Sequence, residues 1–158
     1  MARSLNALQL GLSLLQRRRH ELRTKVLADR RTCVLIVVED RPAGQHLARL
    51  LRAKGYERIR IVRRAASALI LAEKCAPEMI FLDVALSDGA YELANTLRQH
   101  AGLRKVRLIA LTSSIEHSTR EQARGAGFER WLLTPVARAD LDGLMHTADA
   151  GPDDQAPG

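Results

Sequence analysis

The stretch that most constrains the fold is residues 34–40, where five apolar residues run directly into two carboxylates. Such a run, without apolar/polar alternation, is typical of a strand buried on both faces, at the centre of a parallel sheet. Glu39 and Asp40 follow this strand, at the edge where open α/β sheets bind ligands. A second apolar run, 79–82, ends in Asp83. If the two strands are neighbours, three carboxylates converge, and this favours a hard divalent cation, most simply Mg²⁺.

From residue 33 onward, strand-like apolar runs alternate with helix-like segments. The predicted strands cover 34–38, 59–62, 79–82, 107–111 and 130–133, and the predicted helices cover 42–54, 67–75, 90–100, 117–125 and 138–147. Pro42 suits the first turn of a helix, Gly55 suits a helix end, and Ser67 is a candidate N-cap. Five βα units predict an α/β fold with a doubly wound, five-stranded parallel sheet.

An extra N-terminal helix is predicted over residues 4–28, because apolar side chains recur there at steps of three and four. These positions are Leu5, Leu8, Leu12, Leu15, Leu22 and Val26, with Arg19 in the one gap. The stripe can pair two chains or pack back on its own domain, and we favour a homodimer. Residues 1–31 also hold eight basic and two acidic side chains, most of the chain's net charge of +7. Binding of nucleic acid by this basic arm is the less favoured reading.

The predicted organisation is therefore an arm over 1–31, a single domain over 32–147 and a tail over 148–158. The tail is rich in Gly, Pro, Asp and Ala without apolar periodicity, and we expect it to be disordered. No stretch approaches 18 consecutive apolar residues, and residues 1–30 lack a cleavage signature. We therefore expect no membrane span, no signal peptide and a cytoplasmic protein.

Four of the predicted strands end in polar residues, and together they form an ordered set of motifs. The motifs are Val-Glu-Asp at 38–40, Leu-Asp at 82–83, Ala-Leu-Thr-Ser at 110–113 and Trp-Leu-Leu-Thr-Pro at 131–135. This set resembles a response-regulator receiver domain of two-component signalling over about residues 33–146. The resemblance implies a flavodoxin-like receiver fold and a phosphorelay role.

By this resemblance, Asp83 is the phosphoacceptor and receives its phosphoryl group from a histidine kinase or histidine phosphotransfer protein. Asp40, Asp83 and the backbone carbonyl of Ala85 would hold Mg²⁺, with Glu39 acting through water. Thr112 would donate a hydrogen bond to the phosphoryl group. A carboxylate is a competent phosphoryl nucleophile, and a divalent cation neutralises charge on the transferring group.

Two further positions matter for the switch that the resemblance implies. Trp131 occupies the place of the family's switch aromatic residue, usually Tyr or Phe. Thr134 stands where the family has a Lys directly before Pro135. A threonine hydroxyl is neutral and short, and it cannot make the charge-assisted contact of an ammonium group. We therefore expect an atypical receiver with a greater need for Mg²⁺ and a weaker link between phosphorylation and the switch.

The favoured function is that of a stand-alone response regulator, a phosphoprotein that signals through protein–protein contacts. It would not be an enzyme beyond Mg²⁺-dependent self-phosphorylation and dephosphorylation of Asp83. The alternative is a phosphorylation-independent pseudo-receiver that acts as an interaction or dimerisation module. A haloacid-dehalogenase-type enzyme is disfavoured, because such enzymes need a second Asp two residues after the nucleophile, and Ala85 stands there.

Overall fold

The structure is a computed structural model that describes residues 11, 14–16, 33–114 and 116–146. Within residues 33–146 it contains five alternating strand–helix units. They are β1 (Val34–Val37), α1 (Arg41–Ala53), β2 (Ile59–Val62), α2 (Ala65–Cys75), β3 (Met79–Asp83), α3 (Ala90–Gln99), β4 (Arg107–Thr112), α4 (His117–Gly125), β5 (Arg130–Leu133) and α5 (Arg138–His146). The ten predicted elements are confirmed, with ends that differ by at most two residues.

All five strands are parallel, and their order in the sheet is β2-β1-β3-β4-β5. The predicted doubly wound sheet is therefore confirmed. The chain leaves β1 in one direction to form β2 and returns to the other side of β1 to form β3. This reversal opens a crevice at the carboxyl ends of β1 and β3, where such sheets bind ligands. Because Val37 pairs with Leu82, Asp83 and the residues after β1 meet at one edge.

The core has two layers, one on each face of the sheet, because successive strand residues point to opposite faces. On one face, strand residues pack against α2, α3 and α4. On the other, Ile36, Phe81 and Ile109 pack with Leu47 of α1 and Leu141 of α5. All of β1 is buried on both faces, as the unalternating run predicts.

The start of α1 is fixed by the same segment that carries two of the candidate site residues. Asp40 is the N-cap residue, and its Oδ2 accepts a hydrogen bond from the Ala43 N–H at 3.2 Å. Capping of this kind holds the chain just after β1 in one conformation. Gly55 follows the helix with φ +97°, a left-handed conformation that favours glycine. The helix end predicted at Gly55 is thus confirmed.

The start of α2 differs from the prediction. Ser67 lies inside the helix, so the prediction that it is the N-cap is wrong. The helix begins at Ala65, whose backbone N–H donates to Asp88 Oδ2 at 2.8 Å. Asp88 belongs to the loop after β3, and this long-range bond satisfies a free amide of the first helical turn.

Most of the predicted N-terminal helix over 4–28 lies outside the described residues, as does the predicted tail over 148–158. Residues 11 and 14–16 are helical, and Leu15 of the apolar stripe is 61% exposed. The dimerisation role of this segment stays a prediction. None of the helices in the described part of the chain is long and apolar enough to span a membrane.

Candidate functional site

Three of the predicted site residues share one open cavity at the carboxyl edge of the sheet. Asp40 after β1, Asp83 at the end of β3 and Thr134 after β5 line this space of about 440 Å³. Glu39 is not among its lining residues, but its charge acts on Asp83. Two of the three carboxylates predicted to converge, Asp40 and Asp83, therefore share this cavity, whereas Glu39 lies outside it.

Asp83 is half-buried at the last position of β3. Burial raises the pKa of its carboxyl group, and the nearby negative charges of Glu39 and Asp40 raise it further. One hydrogen bond acts in the opposite direction, because the Ala85 N–H donates to Asp83 Oδ1 at 2.9 Å. The fold thus holds a carboxylate whose negative charge is disfavoured unless a cation joins it.

Replacing this carboxylate by an amide should stabilise the protein when no metal is present. Because the folded state raises the pKa of Asp83, stability is greatest below the unfolded-state pKa and is lost as the pH rises through the folded-state pKa. Asp83→Asn keeps an acceptor for the Ala85 N–H without the charge. In EDTA, we expect its gain in unfolding free energy to grow between roughly pH 3 and pH 7, measured by urea unfolding. A variant less stable than the parent at neutral pH would contradict this.

Glu39 is exposed and faces the loop between β3 and α3. Its Oε1 accepts hydrogen bonds from the Ser87 hydroxyl and from the Ser87 N–H, the latter at 2.7 Å. These two bonds lower the pKa of Glu39, and the positive charges of Arg63 and Arg64 contribute to the same effect. Ser87 is a site residue that sequence reasoning missed, although the Ser-Asp-Gly sequence at 87–89 marks this loop.

The carboxylates at this edge fit a magnesium ion in type and in number. Asp40 Oδ2 and Asp83 Oδ1 each accept one backbone hydrogen bond, and their other oxygens have no hydrogen-bond partner among the described residues. Mg²⁺ is commonly held by one or two carboxylates with water and phosphate oxygens completing the shell. Glu39 is engaged with Ser87. Among the described residues there is no group of three or more His, Cys, Asp or Glu side chains that could hold a metal ion.

Thr112, at the end of β4, is 4% exposed and hydrogen-bonds within its own loop. Its Oγ1 accepts from the Ser114 N–H at 3.1 Å and donates to the Ser114 carbonyl oxygen at 3.3 Å. The structure thus places the hydroxyl at the predicted edge, but its partners are the backbone groups of the loop that leads to α4. Because a hydroxyl has a single donor hydrogen, Thr112 has to give up its bond to the Ser114 carbonyl oxygen before it can donate to a group on Asp83.

Trp131 is half-buried on β5, and its ring lies beneath the guanidinium group of Arg120 from α4 at 5.4 Å. Cation–π contacts of this kind restrain both side chains. Arg120 Nε is buried without a hydrogen-bond partner among the described residues. Val84 and Thr112 line the same small cavity as these two side chains. Arg120 was missed from sequence, because nothing local to α4 marks it.

Thr134 follows β5, and its backbone N–H donates to the Thr112 carbonyl oxygen at 2.9 Å. The peptide bond to Pro135 is cis. The Thr134 hydroxyl has no hydrogen-bond partner in the described part of the chain. No Lys or Arg is among the described residues that line the cavity next to Asp83. Arg130 and Arg138 are the basic residues nearest to Thr134 in sequence, and neither of them lines this cavity.

Comparisons with known proteins identify the family. The model of the response regulator receiver domain matches residues 34–146. The polar-differentiation response regulator DivK of Brucella anthropi is 31% identical over 105 residues, which cover 65% of this chain and 85% of that protein. A crystal structure of a response regulator from Chloroflexus aurantiacus superposes with a TM-score of 0.69 at 25% identity, covering 74% of this chain and 96% of that one.

The chemotaxis response regulator CheY4 of Vibrio cholerae has the same fold, with a TM-score of 0.68 at 20% identity over 73% of this chain and 97% of that one. The sheet order, the carboxylates after β1 and at the end of β3, and the family match all indicate the same family. The chain belongs to the response regulator receiver domain family of two-component signalling, a family of signalling modules that are not classical enzymes.

Proposed function

We propose that this protein accepts a phosphoryl group on Asp83 from a histidine kinase or a histidine phosphotransfer protein and signals through protein–protein contacts. The observation that supports this most strongly is the state of the Asp83 carboxylate. One oxygen is held by the Ala85 N–H, which orients the group, and the other has no hydrogen-bond partner among the described residues. An oriented carboxylate with one free oxygen at an open cavity is a competent nucleophile.

In the proposed reaction, an Asp83 oxygen attacks the phosphorus atom of a phosphohistidine. The bond between phosphorus and the imidazole nitrogen breaks, and the imidazole retains the electron pair and takes up a proton. When bound, Mg²⁺ neutralises negative charge on the transferring group. We propose that Asp40, Asp83 and the Ala85 carbonyl oxygen hold the ion, with Glu39 contributing through water. The half-buried position of Asp83 makes its unneutralised charge costly, which favours a requirement for the cation.

We propose that the signal leaves the site through Thr112 and Trp131. A phosphoryl group on Asp83 offers the Thr112 hydroxyl a stronger acceptor than the neutral Ser114 carbonyl. Movement of Thr112 then changes the small cavity that it shares with Arg120 and Trp131. The surface formed by α4 and β5, where Arg120 covers Trp131, is the expected contact face for a partner.

A second candidate function is that of a phosphorylation-independent interaction module. Two observations favour it. The Thr112 hydroxyl is already satisfied within its own loop, and no Lys or Arg is among the described residues lining the cavity at Thr134. Both features weaken the expected coupling between a phosphoryl group and the α4–β5 surface. For either function we propose a cytoplasmic protein that pairs through residues 4–28, and the 61% exposure of Leu15 is consistent with pairing.

Phosphorylation by a small donor separates the two functions. With acetyl phosphate and Mg²⁺, we expect the intact protein to gain the mass of one phosphoryl group. With EDTA in place of Mg²⁺, we expect the initial rate of gain to fall at least about tenfold, because cation neutralisation contributes several kcal/mol. The measurement is a time course by intact-protein mass spectrometry. No mass gain with Mg²⁺ would favour the phosphorylation-independent module, and an EDTA-insensitive gain would contradict the proposed role of the cation.

A further inference from the structure

Four exposed arginines lie toward the amino end of β1 and β2, opposite the end of the sheet that carries the candidate site. Arg49 and Arg52 are in the second half of α1, which runs back from the carboxyl end of β1 to the start of β2. Arg58 directly precedes β2, and Arg60 is its second residue. In the described part of the chain, β2 is an edge strand that pairs with β1 alone. We call these four side chains the arginine edge.

The positive charge of the arginine edge is not neutralised by a neighbouring carboxylate. None of its four side chains forms an ion pair with another residue in the described part of the chain. Other basic side chains of the domain are engaged, since Lys54 pairs with Asp142 and Arg107 pairs with Glu129. Each arginine carries five N–H donors in a planar fork, so the arginine edge has donors and charge available for an external anion.

The basic arm over 1–31 joins the domain beside the arginine edge. The Val34 N–H donates to the Arg58 carbonyl oxygen at 2.8 Å, so the chain enters β1 next to the start of β2. Cys33, directly before β1, is within reach of the same charges. Burial raises the pKa of its thiol to about 11, whereas the positive charges of Arg58 and Arg60 act in the opposite direction. Pairing of β1 with β2 therefore brings two basic segments together that are separate in the sequence.

The charge of the whole chain is unevenly distributed as a result. Residues 1–64 hold 16 basic and five acidic side chains, whereas residues 65–158 hold nine basic and 13 acidic ones. Within residues 41–64 alone, eight basic side chains stand against one acidic side chain. Clustered charge of one sign attracts partners of the opposite sign and accelerates their association. The expected partner of this surface is therefore a polyanion.

We propose that the arginine edge and the adjoining arm bind the phosphodiester backbone of nucleic acid without reading its sequence. The planar guanidinium group forms paired N–H···O bonds to phosphate oxygens, which a lysine ammonium cannot do. All four side chains of the edge are arginines. Phosphate contacts fix the position of a protein on nucleic acid but carry no sequence information. Binding at this edge does not require phosphorylation of Asp83, which lies at the opposite end of the sheet.

An anionic membrane and an acidic protein match this surface less well. Membrane docking adds buried apolar side chains to the attraction between charges. Ile61 is the exposed large apolar side chain of β2, but it is only 36% exposed and points to the opposite face of the sheet from Arg60. A folded acidic protein presents carboxylates at a few fixed positions. Nucleic acid presents phosphates along its whole length, which suits charge spread over both the edge and the arm.

The test is a titration of a fluorescently labelled DNA duplex with the full-length protein, followed by anisotropy in EDTA and without a phosphoryl donor. We expect saturable binding at about 50 mM salt and at least a tenfold loss of affinity, roughly, by about 200 mM, because binding releases counterions from the phosphates. A duplex of scrambled sequence should bind equally well. Absence of saturation, or an affinity that does not respond to salt, would overturn the proposal.

Two matched variants locate the binding surface. Arg58→Gln/Arg60→Gln should lower the slope of log affinity against log salt by about 2, because two phosphate contacts are lost. Arg124→Gln/Arg138→Gln removes the same charge from exposed positions of α4 and α5, and it should leave the slope unchanged. An unchanged slope in the first variant would show that the arm binds alone. Equal changes in both variants would show that only net charge matters, and either outcome would overturn the proposal.

Competitors distinguish nucleic acid from the other two classes of partner. Unlabelled duplex, vesicles that contain an anionic phospholipid and poly-glutamate are added at equal concentrations of negative charge. We expect the unlabelled duplex to displace the labelled one more effectively than either of the others. Equal or better displacement by the vesicles, or by poly-glutamate, would overturn the proposal in favour of a membrane or an acidic protein.

Discussion

Asp83→Asn is expected to lose all phosphoryl uptake from acetyl phosphate, while the Asp140→Asn control keeps it. An amide cannot act as the carboxylate nucleophile or form an acyl phosphate. Asp140 is an exposed residue in the first turn of α5, so its substitution makes the same chemical change away from the site. Uptake is measured by intact-protein mass spectrometry under one set of Mg²⁺ and donor concentrations for all three proteins.

The stability of Asp83→Asn makes this result interpretable. Because the fold disfavours the Asp83 charge, the variant should unfold at a urea concentration no lower than that of the parent protein in EDTA. Loss of uptake in a folded, stable variant then reflects loss of the nucleophile. Undiminished uptake by Asp83→Asn would contradict the assignment and would direct attention to Asp40 or Glu39 as the modified group.

Phe81→Ala is expected to destabilise the protein by about 3–5 kcal/mol, which is a large part of the stability of a typical domain. Phe81 lies at the middle of β3, is fully buried, and packs between the sheet and the α1–α5 face. Truncation removes the ring and leaves a cavity that neighbouring aliphatic side chains cannot fill completely.

Urea unfolding followed by circular dichroism measures this loss, with Phe81→Leu as a control that retains most of the volume. We expect the leucine variant to lose much less than the alanine variant. A loss below about 1 kcal/mol for Phe81→Ala would show that the face between α1 and α5 is not a packed core.

The sheet and the edge on which the candidate site lies could be predicted from the sequence, because both depend on local patterns. The unalternating run at 34–38 indicates a strand buried on both faces, and the structure buries every residue of β1. The carboxylates directly after β1 and at the end of β3 then had to meet once these strands paired. Helix positions followed from the periodic apolar residues and from glycine at the end of α1.

The remaining features depend on contacts between residues far apart in the chain. Ser87 binds Glu39 across 48 residues, and Asp88 caps α2 across 23 residues. Local propensity favours Ser67 for that cap, and tertiary structure overrides it. The sequence shows a threonine at position 134, where the resemblance to receiver domains implies a lysine. It does not show that the space beside it stays open, because His46 and Val136 meet there across 90 residues.

The most direct test of the central claim identifies the phosphorylated residue chemically. After treatment with acetyl phosphate and Mg²⁺, borohydride reduces an aspartyl phosphate to homoserine, and peptide mass spectrometry locates the new residue. We expect homoserine at position 83 and at no other acidic position. Homoserine at Asp40 or another carboxylate, or a phosphoryl mass gain that leaves Asp83 unreduced, would contradict the proposal that Asp83 is the phosphoacceptor.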